Sequence, residues 1–191
     1  MVELEIIILI FLLGIIFWIL SHLFSLIFYV PYVNSSKSAI RDALKLAGLK
    51  KGYTLLDLGC GRGDALIIAA RDFGAKAIGY EISPFPYLLA KIRTFRYRQI
   101  KVYCRDFRFA GNDICRADVI YLYLLNSVLD KIEAHLFNYH FSNKLIIVSL
   151  AFKFKKHRPA KIISTTNLGQ KTKIYLYKKI NRKKSARRGR F

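Results

Sequence analysis

Acidic side chains are scarce in this chain: 12 Asp and Glu stand against 33 Lys and Arg in 191 residues, a formal net charge of +21. So one-sided a field attracts polyanions, either nucleic acid or an anionic lipid leaflet. Charge alone does not choose between those two. Cysteine is scarce as well. Cys60, Cys104 and Cys115 are odd in number, so they cannot all pair, and none belongs to a Cys-x-x-Cys pair to which His22, His135, His140 or His157 could add ligands. That pattern excludes a disulfide framework and the usual zinc spacings, and it reads as reduced thiols in a cytoplasmic domain with no metal site. The length suits one domain with accessories and leaves little room for two.

Charge is missing altogether from residues 6–20, IIILIFLLGIIFWIL, and apolar character continues to Val30 with only Ser21, His22 and Ser25 interrupting. About 20 apolar residues in a helix span a hydrocarbon core of about 30 Å. The aromatics Phe28, Tyr29 and Tyr32 fall where an interfacial belt is expected. A cleaved signal peptide would need a basic start, and here Glu3 and Glu5 occupy it. Basic residues follow the segment (Lys37, Arg41, Lys45, Lys50, Lys51) and none precedes it, so the positive-inside rule puts the N-terminus outside and the remaining chain in the cytoplasm.

Pro31 ends the apolar helix, and a short amphipathic helix is expected over 38–49, stopped at Gly48. Strand and helix patterns then alternate. Strands are expected at 53–58, 76–80, 101–104, 118–124 and 144–150, with helices at 65–73, 85–96 and 127–137. Such alternation predicts a parallel sheet covered on both faces. After Pro159 two further strands, 161–165 and 173–177, joined near Asn167-Leu168-Gly169, predict an antiparallel edge hairpin. The fold class expected is therefore α/β, Rossmann-like and seven-stranded, preceded by one transmembrane helix. The expected division is an anchor over 1–33, a catalytic domain over 34–177 and a disordered tail over 178–191, which holds eight basic residues.

The most informative stretch is TLLDLGCGRGDALIIAA. A strand reaches Asp57, then Gly59, Gly61 and Gly63 alternate with other residues before a helix begins. Glycines there permit a sharp turn and close approach of a ligand to backbone N–H groups at a helix start. The second strand ends on Glu81, eighteen residues past Gly63, where a carboxylate can accept from both hydroxyls of a ribose. A dinucleotide fold uses G-x-G-x-x-G beside a pyrophosphate. Here the run is G-C-G-R-G with Asp57 two residues before it. A carboxylate at that point repels a pyrophosphate and suits the ammonium group of S-adenosylmethionine.

With D-L-G-C-G-R-G as its first motif, the chain resembles class I S-adenosylmethionine-dependent methyltransferases. The resemblance implies cofactor contacts from Asp57, Gly59, Cys60 (through its backbone), Gly61, Gly63 and Glu81, and from Asp106 at the adenine amino group. A loop acid that balances Arg105 and Arg108 is the other reading of Asp106. Upstream, YVPYVNSSKSAIRDALKLAG together with AIGYEISP resembles a group of protein-lysine methyltransferases. That group includes archaeal broad-specificity enzymes and the enzyme acting on the ATP synthase c-subunit. It implies peptide contacts at Pro31, Tyr32 and Asn34. The chain departs from it at Val33-Asn34-Ser35 and at Asp64, where the group usually has other residues.

After the fourth strand, Tyr121-Leu122-Tyr123-Leu124-Leu125-Asn126 contains no Asn-Pro-Pro-Tyr, the motif of amide and nucleobase methylation. Tyr123 and Asn126 are the candidate acceptor-site residues, although the two tyrosines also alternate as packing residues would. The expected function is a membrane-anchored methyltransferase acting on lysines of a protein substrate, with the bilayer and anionic lipids as further partners. RNA or lipid-headgroup methylation and a non-catalytic binding module are the alternatives. Transfer to lysine requires mainly positioning and desolvation of a neutral amine.

Overall fold

The computed structural model describes residues 2–27, 35–138 and 145–179. Pro31, Tyr32 and Asn34, the aromatics Phe28 and Tyr29, and the tail from residue 180 lie outside the described residues.

Fourteen elements follow one another: α1 (Val2–Ile27), α2 (Lys37–Leu46), β1 (Thr54–Leu58), α3 (Asp64–Phe73), β2 (Lys76–Glu81), α4 (Pro84–Thr94), β3 (Ile100–Cys104), a 3₁₀ turn (Phe107–Phe109), α5 (Gly111–Arg116), β4 (Val119–Leu122), α6 (Asn126–Asn138), β5 (Leu145–Leu150), β6 (Lys161–Asn167) and β7 (Gln170–Lys179). The strands form one sheet in the order β3-β2-β1-β4-β5-β7-β6. The first five strands are parallel, and β7 runs antiparallel to both β5 and β6. The expected sheet with an antiparallel edge is therefore present. Chain order reverses direction between β1 and β4, and in open α/β sheets the cleft at the carboxyl ends of such a strand pair is the natural ligand site.

The apolar runs in the strands follow from burial on both faces. Leu55, Val119, Tyr121 and Val148 face a core built with α2, α3 and α4, whereas Leu56, Leu58, Ile120, Leu122 and Ile147 face another built with α5 and α6. Each fully buried Leu or Ile contributes about 1.5–3 kcal/mol. The central strands therefore carry no clean apolar–polar alternation, since neither of their faces meets water.

Several boundaries differ from the sequence expectation. β4 stops at Leu122, two residues early, because the chain turns at Tyr123 to enter α6. The 3₁₀ turn and α5 between β3 and β4 were not anticipated. At three and six residues they are too short for helical periodicity to register. The hairpin strands are longer than expected, and the connection shrinks to Leu168-Gly169, both left-handed with φ of 50° and 81°.

α1 contains a stretch, Glu3–Ser21, of mean hydropathy 2.8, long and apolar enough to cross a membrane. Its side chains are almost all exposed; Leu9 and Phe11, for example, are more than half accessible. It touches the domain at α4.

A left-handed conformation costs a branched or bulky residue roughly 1–2 kcal/mol, whereas Asn-Gly is the preferred pair for a two-residue hairpin turn. Leu168 is exposed and makes no compensating core contact. Leu168→Asn should stabilise the protein by about 1 kcal/mol, a rise in Tm of roughly 2–4 °C, measurable by thermal unfolding in detergent. An unchanged or lower Tm would show that the turn is not strained.

Candidate active site

Tyr80 at the end of β2 fastens the loop after β1: its carbonyl accepts from the N–H groups of both Gly59 and Cys60, each at 2.9 Å. Gly59 has φ of 117°, and a Cβ there would lie 2.9 Å from Leu124 Cδ2. Gly63 opens α3 with φ of 82°, and a Cβ on it would press on Thr94 and Ala90 of α4 at 3.3 and 3.5 Å. Glycine is thus required by conformation at both sites and by the approach of α4 at the second. Arg93 of α4 closes the arrangement, donating to the Arg62 carbonyl at 2.9 Å and to Asp64 at 2.7 Å. Burial raises the Asp64 carboxyl, but the hydrogen bonds from Arg93 and Arg62 outweigh it and hold the group below its ordinary value.

Glu81 joins this loop to the next. One carboxylate oxygen accepts from Gly61 N–H at 2.9 Å and the other from Ser83 N–H at 2.8 Å. Burial raises its pKa, and those backbone donors act against the rise. Asp57, in register with Tyr121 across β1 and β4, is a buried residue that takes no hydrogen bond from another described residue, its carboxylate oxygens keeping a small access to solvent. Its pKa is pushed well up by burial and then by the Glu81 charge. Two carboxylates buried together, one of them unpaired, leave a deficit of positive charge.

A cavity of about 210 Å³ opens beside them. Gly59, Glu81 and Asp106 line it, together with Tyr80, Ile82, Phe107, Leu124, Val128, Lys131 and His135. Asp57, Cys60, Gly61 and Gly63 belong to the same strand and loop as Gly59 but do not line the cavity. The Cys60 side chain is buried beneath the loop, at the place where a Cβ on Gly79 would come within 2.7 Å of its sulfur. Burial, then the Asp57 and Glu81 charges, hold this thiol strongly protonated. Asp106 lines the cavity, and it also pairs with Arg108 at 2.8 Å and caps the 3₁₀ turn. A lining that combines apolar side chains with the carboxylates of Glu81 and Asp106 suits an adenosine group.

Tyr123 lies apart from this cavity, on the face of α2. Its hydroxyl accepts from Asn167 Nδ2 at 3.1 Å, and its ring stacks on Phe152 with centroids 6.2 Å apart. The Asn167 Oδ1 accepts from the Ser36 N–H at 2.7 Å, next to the cap of α2. Tyr121 approaches Ser35 at 3.4 Å. Tyr121, Tyr123, Ser35 and Asn167 therefore meet beside the cap of α2. Asn126 is separated from them and stands exposed at the first turn of α6. Sequence reasoning missed Asn167, Lys131 and His135. Asn167 carried a turn signal only, and the other two had no motif to mark them.

The profile of the ANTKMT methyltransferase domain matches residues 57–161, from the buried Asp57 to the first residue of β6. The chain belongs to this family. A protein-lysine N-methyltransferase of Saccharolobus islandicus (strain REY15A) is 30% identical over 156 residues, covering 78% of this chain and 93% of that protein. A lysine N-methyltransferase of the ATP synthase c-subunit, from Xenopus laevis, is 31% identical over 67 residues, 35% of this chain and 29% of that protein. Among solved structures, an RNA methyltransferase from Salinibacter ruber in complex with S-adenosyl-L-homocysteine is 29% identical, with a TM-score of 0.69 over 76% of this chain and 93% of that one. This ANTKMT-family chain is an S-adenosylmethionine-dependent methyltransferase, and its buried, unpaired Asp57 fits a cofactor that carries an ammonium and a sulfonium.

The two buried acids predict opposite costs. A raised native pKa means the folded state binds the proton more tightly, so this contribution to stability is present below the unfolded pKa of about 3.9 and lost as pH rises through the native value. Asp57→Asn should therefore raise the Tm of the cofactor-free protein at pH 7, by roughly 2–4 °C for each kcal/mol relieved, with a smaller gain at pH 4. It should also weaken S-adenosylmethionine binding about ten- to a hundredfold, the loss of a charged-group hydrogen bond of about 1.5–3 kcal/mol. Glu81→Ala should weaken binding similarly yet lower the Tm, because Gly61 and Ser83 lose their acceptor. Calorimetry and thermal unfolding check both, and unchanged affinity in either variant would remove that residue from the site.

Proposed function

We propose that the protein is a membrane-anchored lysine methyltransferase, with an anchor over residues 1–33, a catalytic domain over 34–177 and a basic tail over 178–191. The observation that carries the lysine reading is the 30% identity to a protein-lysine N-methyltransferase along 93% of that protein's length. In this reading Asp57 holds the cofactor's ammonium group, the backbone at Gly59, Cys60, Gly61 and Gly63 receives its methionine part, Glu81 accepts from the ribose hydroxyls, and Asp106 accepts from the adenine amino group. S-adenosylmethionine supplies an electrophilic methyl group on sulfur. Tyr121 and Tyr123, held by Ser35 and Asn167, flank the entry of the acceptor lysine, together with Pro31, Tyr32 and Asn34. Their rings desolvate and orient a neutral amine, whose proton has already gone to water. Asn126, exposed on α6, has a weaker claim to a substrate contact than Tyr123.

Membrane anchoring is supported by the length and hydropathy of Glu3–Ser21 and by its exposure along α1. The flanking charges favour an orientation with the N-terminus outside and the domain in the cytoplasm. The basic residues after Tyr177 would then lie against an anionic leaflet, each contributing about 1 kcal/mol near the surface. A second reading, RNA methylation, is favoured by the Salinibacter ruber relative and by the net charge of +21.

The test incubates the purified full chain with methyl-labelled S-adenosylmethionine and, separately, with membrane proteins and total RNA. Label should enter protein as methyl-lysine, identified by mass spectrometry, and should vanish with Asp57→Asn. Because lysine has an ordinary pKa near 10.4, kcat/KM should rise about tenfold per pH unit between roughly pH 7 and 9. Label confined to RNA would overturn the lysine reading. Release of the chain from membranes by carbonate would overturn the anchor.

A further inference from the structure

α4 presents two different faces. Ala90 and Thr94 are buried on the inner one, against the Gly63 loop. Phe85, Leu88, Ile92 and Phe95 follow at intervals of three, four and three residues, which places them on one stripe across the helix from Ala90. Among the described residues, the stripe is covered at its start only. The Phe85 ring meets Phe17 of α1 edge-on with centroids 6.2 Å apart, and the Phe85 N–H donates to Ser21 Oγ at 3.0 Å. Beyond that contact exposure climbs: Leu88 46%, Ile92 58%, Phe95 73%. Lys91, Arg96 and Arg98 are exposed alongside, and the Arg96 guanidinium sits over the Phe95 ring at 5.3 Å.

We propose that this stripe is a bilayer-contact surface, and that α4 lies in the interfacial layer of an anionic leaflet. The proposal rests on α1 being a membrane anchor. Ser21 is the last residue of the apolar stretch Glu3–Ser21, so its bond to Phe85 sets the first turn of α4 at the depth where that stretch ends. An amphipathic helix in this position sinks its apolar side about 5–10 Å into the boundary between headgroups and acyl chains, with Lys and Arg at the phosphates. Lipid fits the flanks better than a second copy of the chain does. Stripe-to-stripe pairing would bring Lys91, Arg96 and Arg98 of both copies together, whereas lipid phosphates neutralise them. Since the inner face of α4 carries the Gly63 loop, the helix would also set the height of the cofactor site above the membrane.

The test uses the full chain in vesicles of phosphatidylcholine and phosphatidylglycerol whose acyl chains carry bromine either near the headgroups or near the chain ends. Trp18, the single tryptophan, reports on α1. Phe95→Trp and, separately, Ile92→Trp in a Trp18→Phe background report on α4, and both sites are exposed, so neither change disturbs the core. Shallow bromines should quench both α4 reporters about twofold and deep bromines less, consistent with interfacial depth. Quenching of Trp18 with both α4 reporters untouched overturns the proposal and leaves the anchor standing. Reporters shielded from bromine and from aqueous iodide alike mark a second copy on the stripe, and overturn it as well. Untouched emission at all three positions overturns the anchor itself.

Discussion

The carboxylate of Glu81 holds the site together. Its two oxygens take N–H groups from two different loops, Gly61 after β1 and Ser83 after β2. The loops thereby become one wall at the point where the strand order reverses. Placing that charge in a buried position costs energy, and Asp57, buried nearby without a donor, adds to the cost. A fold tolerates such a pair where a cationic ligand completes it, which agrees with S-adenosylmethionine and disagrees with a pyrophosphate. Lowered stability of the empty protein and affinity for the cofactor are then two results of one arrangement.

The parts legible in the sequence were those that local pattern controls. D-L-G-C-G-R-G marked the strand, the turn and the helix start, because Gly59 and Gly63 answer demands of their own backbone. Glu81 was legible because it ends an apolar strand at a fixed distance from that turn. The parallel sheet could be read because strands buried on both faces are continuously apolar. Asn167 could not be read in this way. It joins Tyr123 to the Ser36 N–H, and its partners lie 44 and 131 residues away in the chain. No periodicity records a contact of that kind. The same holds for Lys131 and His135, which reach the cavity only because α6 packs beside β4.

The edge hairpin illustrates how residues distant in sequence meet at the start of the domain. β7 pairs with β5 and carries β6 outward, so the turn at Leu168-Gly169 returns to α2. There Asn167 accepts from Ser36, the Ser36 hydroxyl meets the Thr166 carbonyl at 3.3 Å, and Thr165 donates to Asp42 at 2.6 Å. Two of these contacts are made at the cap of α2 and one half-way along it, so the end of β6 is fastened to the first half of that helix. This corner of the domain is therefore built from its two ends, while the glycine loop and Glu81 come from its middle.

α4 connects these chemical features to the electrostatics of the whole chain. A positive field of this size brings the protein to any polyanion but does not orient it. Orientation requires a rigid element with a defined face, and α4 is fixed on its inner side by Ala90, Thr94 and Arg93 against the glycine loop. Its outer side continues from the contact with α1. A helix fastened to the cofactor loop on one side and to an apolar helix at its first turn cannot rotate without disturbing one of the two. Whatever surface meets the outer stripe would consequently determine how the cofactor cleft is presented, and the exposed Lys91, Arg96 and Arg98 beside the stripe suit a surface that is negatively charged.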